Sequence, residues 1–166
     1  MSNKILIRGI LIILIVLNCT TIFCFSAQGA DKSNNSSGRV VNTIIENLPN
    51  TKNLSKEEKE QIKEKITKPI RKLAHFSIYT CLGFLLFSLF QTFDGIKPKT
   101  KFAYSWGLGT FYACTDEIHQ KFVGGRSSEI TDVLIDSSGV IFGILISFVV
   151  CEFIIKHIKN KEKVVQ

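Results

Sequence analysis

The sequence predicts an all-α fold: a four-transmembrane-helix protein with a polar, partly helical extracytoplasmic insert between helices 1 and 2. Three observations carry this expectation. Apolar residues make up 45% of the 166-residue chain, but they are gathered into blocks rather than spread evenly. Four such blocks, residues 9–30, 73–93, 102–123 and 133–155, each reach the length of about 20 residues that a helix needs to cross hydrocarbon. A single segment in lipid must be helical to satisfy its own backbone groups. The chain then divides into a first span (1–30), a polar insert (31–70), a three-helix core (71–156) and a basic cytoplasmic tail (157–166).

The first block has no charged residue and follows Lys4 and Arg8. That arrangement also fits a cleaved signal peptide, but the apolar run is long for one and lacks a clean small-x-small site. It is read as a span. In the insert, "DKSNNSSG" is a loop by composition. Val40, Val41, Ile44, Ile45 and Leu48 recur at helical spacing and predict a short amphipathic helix. "LSKEEKEQIKEKI" carries Ser55 with Glu58 three residues on, a capping-box pattern. The insert therefore reads as a solvated helical hairpin on the membrane surface.

The second block is charge-free apart from His75, the third turns polar after Thr115, and the fourth is framed by Asp136 and Glu152. Gly124-Gly125 between the last two reads as a turn. Basic residues are denser before the first block, in "KPKTK" and after the fourth block, which places both termini in the cytoplasm.

The formal charge of +7 invites a nucleic-acid partner. The basic residues instead flank apolar blocks, as attraction to anionic lipid requires, and form no single basic face, so no nucleic acid is expected. The five cysteines lie in apolar blocks without metal-site spacing and read as small buried hydrophobes. "DEIH" lacks the phosphate-binding loop of a helicase, and no H-E-x-x-H zinc motif is present.

The chemistry concentrates where the spans begin and end. The alternating order of the spans brings "RKLAHFSIY", "TDEIHQ" and "TDVLID" to one membrane face. Arg71, His75 and Tyr79 share a stripe at i, i+4 spacing, with Lys72 beside it. Ser105, Gly109 and Ala113 form a small-residue seam that Asp116 and Gln120 continue, with Glu117 and His119 flanking it. Gly139, Gly143 and Ser147 form a second seam that Asp132 and Asp136 extend. Such seams are where membrane helices approach closely. The acids therefore face other helices, with Arg71, Lys72 and Arg126 as counter-charge. Singly, each residue has a plain packing or snorkelling explanation. As a cluster, ionisable groups at membrane depth point to a functional site.

These motifs, "RKLAHFSIYTCLGFLL" and "DEIHQKFVGGRSSEITDVLIDSSGVIFG", resemble the VanZ-like family of bacterial membrane proteins. The resemblance rests on R-K-x-x-H-F-x-x-Y, D-E-x-H-Q, an Arg-containing loop and an Asp opening the next helix. One departure is Gly124, where that family commonly has Pro before the Gly-Arg pair. The resemblance implies a multi-pass protein of the bacterial plasma membrane, linked to low-level resistance to teicoplanin-type glycopeptides. It also implies a distant similarity to membrane enzymes that act on lipid headgroups.

By that carry-over His75, Asp116, Glu117, His119, Arg126 and Asp132 would be catalytic. Arg71, Lys72, Tyr79, Gln120 and Asp136 would bind substrate, a membrane lipid or a lipid-linked cell-wall precursor. The residue chemistry fits: Arg126 with Arg71 to hold a phosphate, and His75 or His119 as general base. Asp116, Glu117 and Asp132 would orient the histidine or hold a divalent cation. The alternative is a non-catalytic membrane module that binds lipid or a partner and uses the cluster for helix packing.

Overall fold

A computed structural model describes residues 2–47, 54–123 and 129–164. Among these residues the chain is all helical, with five helices: α1 (Ser2–Ser26), α2 (Ala30–Asn47), α3 (Lys56–Gln91), α4 (Pro98–Gln120) and α5 (Ile130–Val164).

Side-chain pairs fix how they run. Arg8 donates to Thr92 and Asn18 to the Ile78 carbonyl, so α1 is antiparallel to α3. Tyr112 donates to the Cys19 carbonyl and Ser26 to Asp116, so α4 runs parallel to α1. Lys72 pairs with Asp132 and Ser88 with Ser147, so α5 runs parallel to α3, with which it makes its most extensive contact. Between these two parallel helices α4 returns the chain from one end of the bundle to the other. The turn that starts this return uses Gly95 at φ +80, a left-handed backbone open to glycine. Pro98 then opens α4 at a position where a missing N–H costs nothing.

The core of the bundle contains Ile22, Tyr79, Leu82, Leu86, Phe87, Ala113, Val140 and Ile144. The two glycine seams set its tightest packing. A Cβ on Gly139 would sit 2.6 Å from the Phe76 carbonyl oxygen, and one on Gly143 would overlap that of Thr80. Gly83 faces the Val140 backbone in the same way. On the outside, Leu6, Ile13, Leu17 and Phe25 of α1, Phe111 of α4 and Leu145, Val149 and Phe153 of α5 are all exposed. Apolar surface of this extent belongs in lipid.

Three expectations change. Among the described residues three helices rather than four are long and apolar enough to cross a membrane: Asn3–Ser26, Lys56–Gln91 and Ile130–Phe153. α4 falls short because its charge-free stretch, residues 102–115, is short and only weakly apolar: Tyr104, Ser105, Gly107, Gly109, Thr110, Tyr112 and Thr115 interrupt it, and Lys101 and Asp116 bound it. "DKSNNSSG" is not a loop but the first half of α2. Val41 and Ile45 of that helix are buried and α2 packs on α3, so tertiary contact overrides a weak helix propensity. The second helix of the insert is also not separate from the span that follows it. Ser55 and Glu58 form the capping box in both directions, and α3 continues through Pro69 to Gln91. Its 36 residues extend roughly 54 Å, well beyond a hydrocarbon core of about 30 Å. The excess stands at the end of the bundle where α2 packs.

Candidate functional site

That same end collects the polar residues. It is built by the close of α1, the middle of α3, the close of α4 and the opening of α5. On α4, Lys101, Ser105, Gly109, Ala113, Asp116 and Gln120 are all buried, so the predicted small seam does carry its acid and amide inward. Asp116 is 5% exposed. Its Oδ2 accepts from the Ser26 hydroxyl at 2.7 Å and from the Gln120 amide at 3.0 Å. The same amide lies 3.2 Å from the Ser26 Oγ.

On α5 the seam of Gly139 and Gly143 extends to Asp136, 3% exposed, whose Oδ2 lies 3.8 Å from His75 Nδ1. Tyr79, one turn along α3 from His75, is fully buried and within electrostatic reach of both Asp116 and Asp136. His75, Tyr79, Asp116, Gln120 and Asp136 therefore form the inner part of the site.

A second, outer part is a network of ion pairs. Lys72 contacts Asp132 and Glu129, and Lys68 contacts Glu129 at 3.2 Å. The two ammonium groups, Lys68 first, hold the Glu129 carboxyl down at about 2. Glu117 is as buried as Asp116, and its Oε1 accepts from the Glu129 backbone N–H at 2.7 Å. The outer network thus ties α3, α4 and the start of α5 together.

Of the residues proposed from sequence, His119 stands apart. Its ring stacks on Phe23 of α1, with centroids 4.8 Å apart, and its Nε2 is buried. Arg126 and the Gly124-Gly125 turn lie outside the described residues. Three participants escaped the sequence reading. Ser26 falls inside the first apolar block, Glu129 sits in the short polar stretch before the last block, and Lys68 is one lysine in a charged run.

Two cavities meet at this end. A groove of about 240 Å³ is lined by Ile22, Phe25, Val40, Ile70, Ala74 and Ile78, with Arg71 and His75 among its polar residues. A small cavity of about 10 Å³ is lined by Arg71, Lys72, His75, Gln120, Asp132 and Asp136. Arg71 and His75 line both. An apolar channel running up to a cation and an imidazole, with carboxylates behind them, can accept an amphiphile and hold its polar end. For a metal ion, the set that converges is His75, Asp116 and Asp136, whose ligand atoms all lie within 4.8 Å of one another. The expected trio of Asp116, Glu117 and Asp132 is divided, since Asp132 is engaged by Lys72 and Glu117 by the Glu129 backbone.

A helical bundle with apolar outer surfaces of membrane-spanning length, and a half-buried His beside two buried Asp at one end, is a helical membrane protein. The VanZ/LLP1 family model matches residues 10–151, most of the chain, and the protein belongs to that family. Neither the curated proteins nor the solved structures contain a match to this chain.

Proposed function

We propose that this VanZ-family protein binds or acts on a lipid-linked phosphate or headgroup at the outer leaflet of the bacterial plasma membrane. The observation that carries this reading is the junction of the apolar groove with the polar cavity at Arg71 and His75. An acyl or prenyl chain fits the groove's apolar lining, and its phosphate would end beside the guanidinium. Arginine suits that contact through paired N–H donors. His75, with Asp136 behind it, is the proposed proton acceptor if a bond is broken. Lys72 is engaged by Asp132 and Glu129, so its role is to shape the rim rather than to bind substrate. Arg126 remains a second candidate for the phosphate.

The orientation rests on the basic flanks. With both termini cytoplasmic, the Lys4–Asp94 end faces inward and the site faces out. Because α3 and α5 are parallel, α4 must carry the chain back between them. It is therefore proposed as a fourth crossing, held by the packing of its small and polar face on its neighbours rather than driven by its own hydropathy.

The test uses Arg71→Gln and His75→Ala at wild-type accumulation. Loss of teicoplanin protection, together with a changed lipid-headgroup profile on overexpression, is the expected outcome. Wild-type behaviour of both variants would overturn the proposal.

A non-catalytic reading draws on the outer ion pairs, which link α3 to α5 as a packing device would. On that reading the groove binds a lipid without altering it. Susceptibility would change in the same variants while the headgroup profile stays constant.

A further inference from the structure

We infer that His75, Asp116 and Asp136 form a binding site for one divalent cation. The three residues come from α3, α4 and α5, so the site would sit where those helices converge. Two carboxylates, 5% and 3% exposed, lie in one small region of low dielectric. Like charges in such a place repel strongly, and a bound cation is one way to relieve that repulsion. Lys72 is engaged beside the cluster rather than within it, paired with Asp132 and Glu129.

A second, independent observation points to a ligand. The Asp136 Oδ1 and the Tyr79 hydroxyl are both buried without a hydrogen-bond partner, and the Tyr79 side chain is fully buried. Unpaired polar atoms at such depth are uncommon in native proteins, and two of them beside the same carboxylates are accounted for by a bound ion or water. Tyr79 also lies within electrostatic reach of both Asp116 and Asp136. The adjoining cavity, lined by His75, Gln120 and Asp136 together with Arg71, Lys72 and Asp132, measures about 10 Å³. That volume suits one water-sized particle and excludes an organic cofactor.

The surroundings resemble those of a prepared ligand set. Ser26 and Gln120 both donate to Asp116 Oδ2, which fixes the carboxylate and leaves its Oδ1 for the ion. Ligand atoms bound at about 2.1 Å stand about 3.4 Å apart in a tetrahedral site and about 4.2 Å apart when trans, so the 4.8 Å spread must close by about 0.6 to 1.4 Å on binding. One imidazole nitrogen with two carboxylates favours Mn2+ or Zn2+ over Ca2+, which prefers more oxygen ligands.

The test is made on the full-length protein in detergent, freed of metal with a chelator and carrying no histidine tag. Mn2+ is titrated and followed by electron paramagnetic resonance. One Mn2+ per chain is expected, displaced by Zn2+, with a nitrogen coupling from one imidazole in the pulsed spectrum. His75→Ala should remove that coupling, and Asp136→Ala should weaken binding by roughly tenfold or more. His119→Ala should retain both signals. Circular dichroism and monodisperse elution certify each variant, with His75→Gln used if His75→Ala does not fold. The inference is overturned if the folded wild-type protein binds neither ion saturably, or if the coupling survives loss of the His75 imidazole. No lipid enters this assay, so its failure and that of the lipid proposal are read separately.

Discussion

Asp116 shows how much one side chain depends on its neighbours. Its Oδ2 accepts from Ser26 on α1 and Gln120 on its own helix, and both donors are buried with it. Ser26→Ala removes the donor from another helix and is expected to lower stability by about 1 to 2 kcal/mol, measured by denaturant titration in detergent. Glu129 makes a different kind of statement. Its carboxyl is held at about 2 against an ordinary 4.5, so the charged form is favoured in the folded protein. A depressed carboxyl contributes stability that is complete above pH 4.5 and fades as pH falls towards 2. Melting temperatures recorded between pH 6 and pH 2 should show that fade, and Glu129→Gln should flatten it. The sequence revealed Asp116, Asp136 and His75 through helical spacing. It could not reveal Ser26, because no local pattern links positions 26 and 116.

The glycine seams decide the packing of the helices. On α5, Gly143 meets the Thr80 carbonyl and the Phe84 backbone, so a side chain there has no room. Gly143→Val should separate α3 from α5 at a cost of about 1 to 3 kcal/mol or more, seen as lower accumulation and a lower melting temperature. Gly107→Ala, with nothing within 4 Å, should be neutral or slightly stabilising in the same assay. The seam could be read from Gly139 and Gly143 alone, since their spacing is the pattern of close helix contact. The continuity of α3 could not be read so simply. Pro69 and the charged run before it looked like a boundary, yet the helix passes through both. α2 is half legible: its apolar positions are visible, but its polar first half has no apolar pattern to announce a helix.

At the scale of the whole molecule, charge and connectivity act together. Arg8 and Lys4 reach Thr92 and Asp94 at one end, while the His-Asp-Asp cluster occupies the other. Single cysteines placed at Asp94 and at Glu57, in a background lacking the native cysteines, should lie on opposite sides of the membrane. A membrane-impermeant maleimide applied to intact cells is expected to label position 57 and spare position 94. The reverse pattern would place the site on the inner leaflet, where a lipid proposal would need a cytoplasmic substrate.

α4's position between two parallel neighbours bears on how the protein is made. A helix with Lys99 and Lys101 at one end and Asp116 and Glu117 at the other gains too little from partitioning alone to leave the insertion channel by itself. It should wait for α5, so that the two enter lipid as a hairpin with their polar faces already together. A glycosylation reporter fused after residue 123 should therefore show poor integration of α4, and one fused after residue 153 should show it recovered. Biogenesis would then be a checkpoint: a chain whose α5 is damaged could not retain α4 in the bilayer. The carboxylates of the cluster would be left in the aqueous phase for quality control to find.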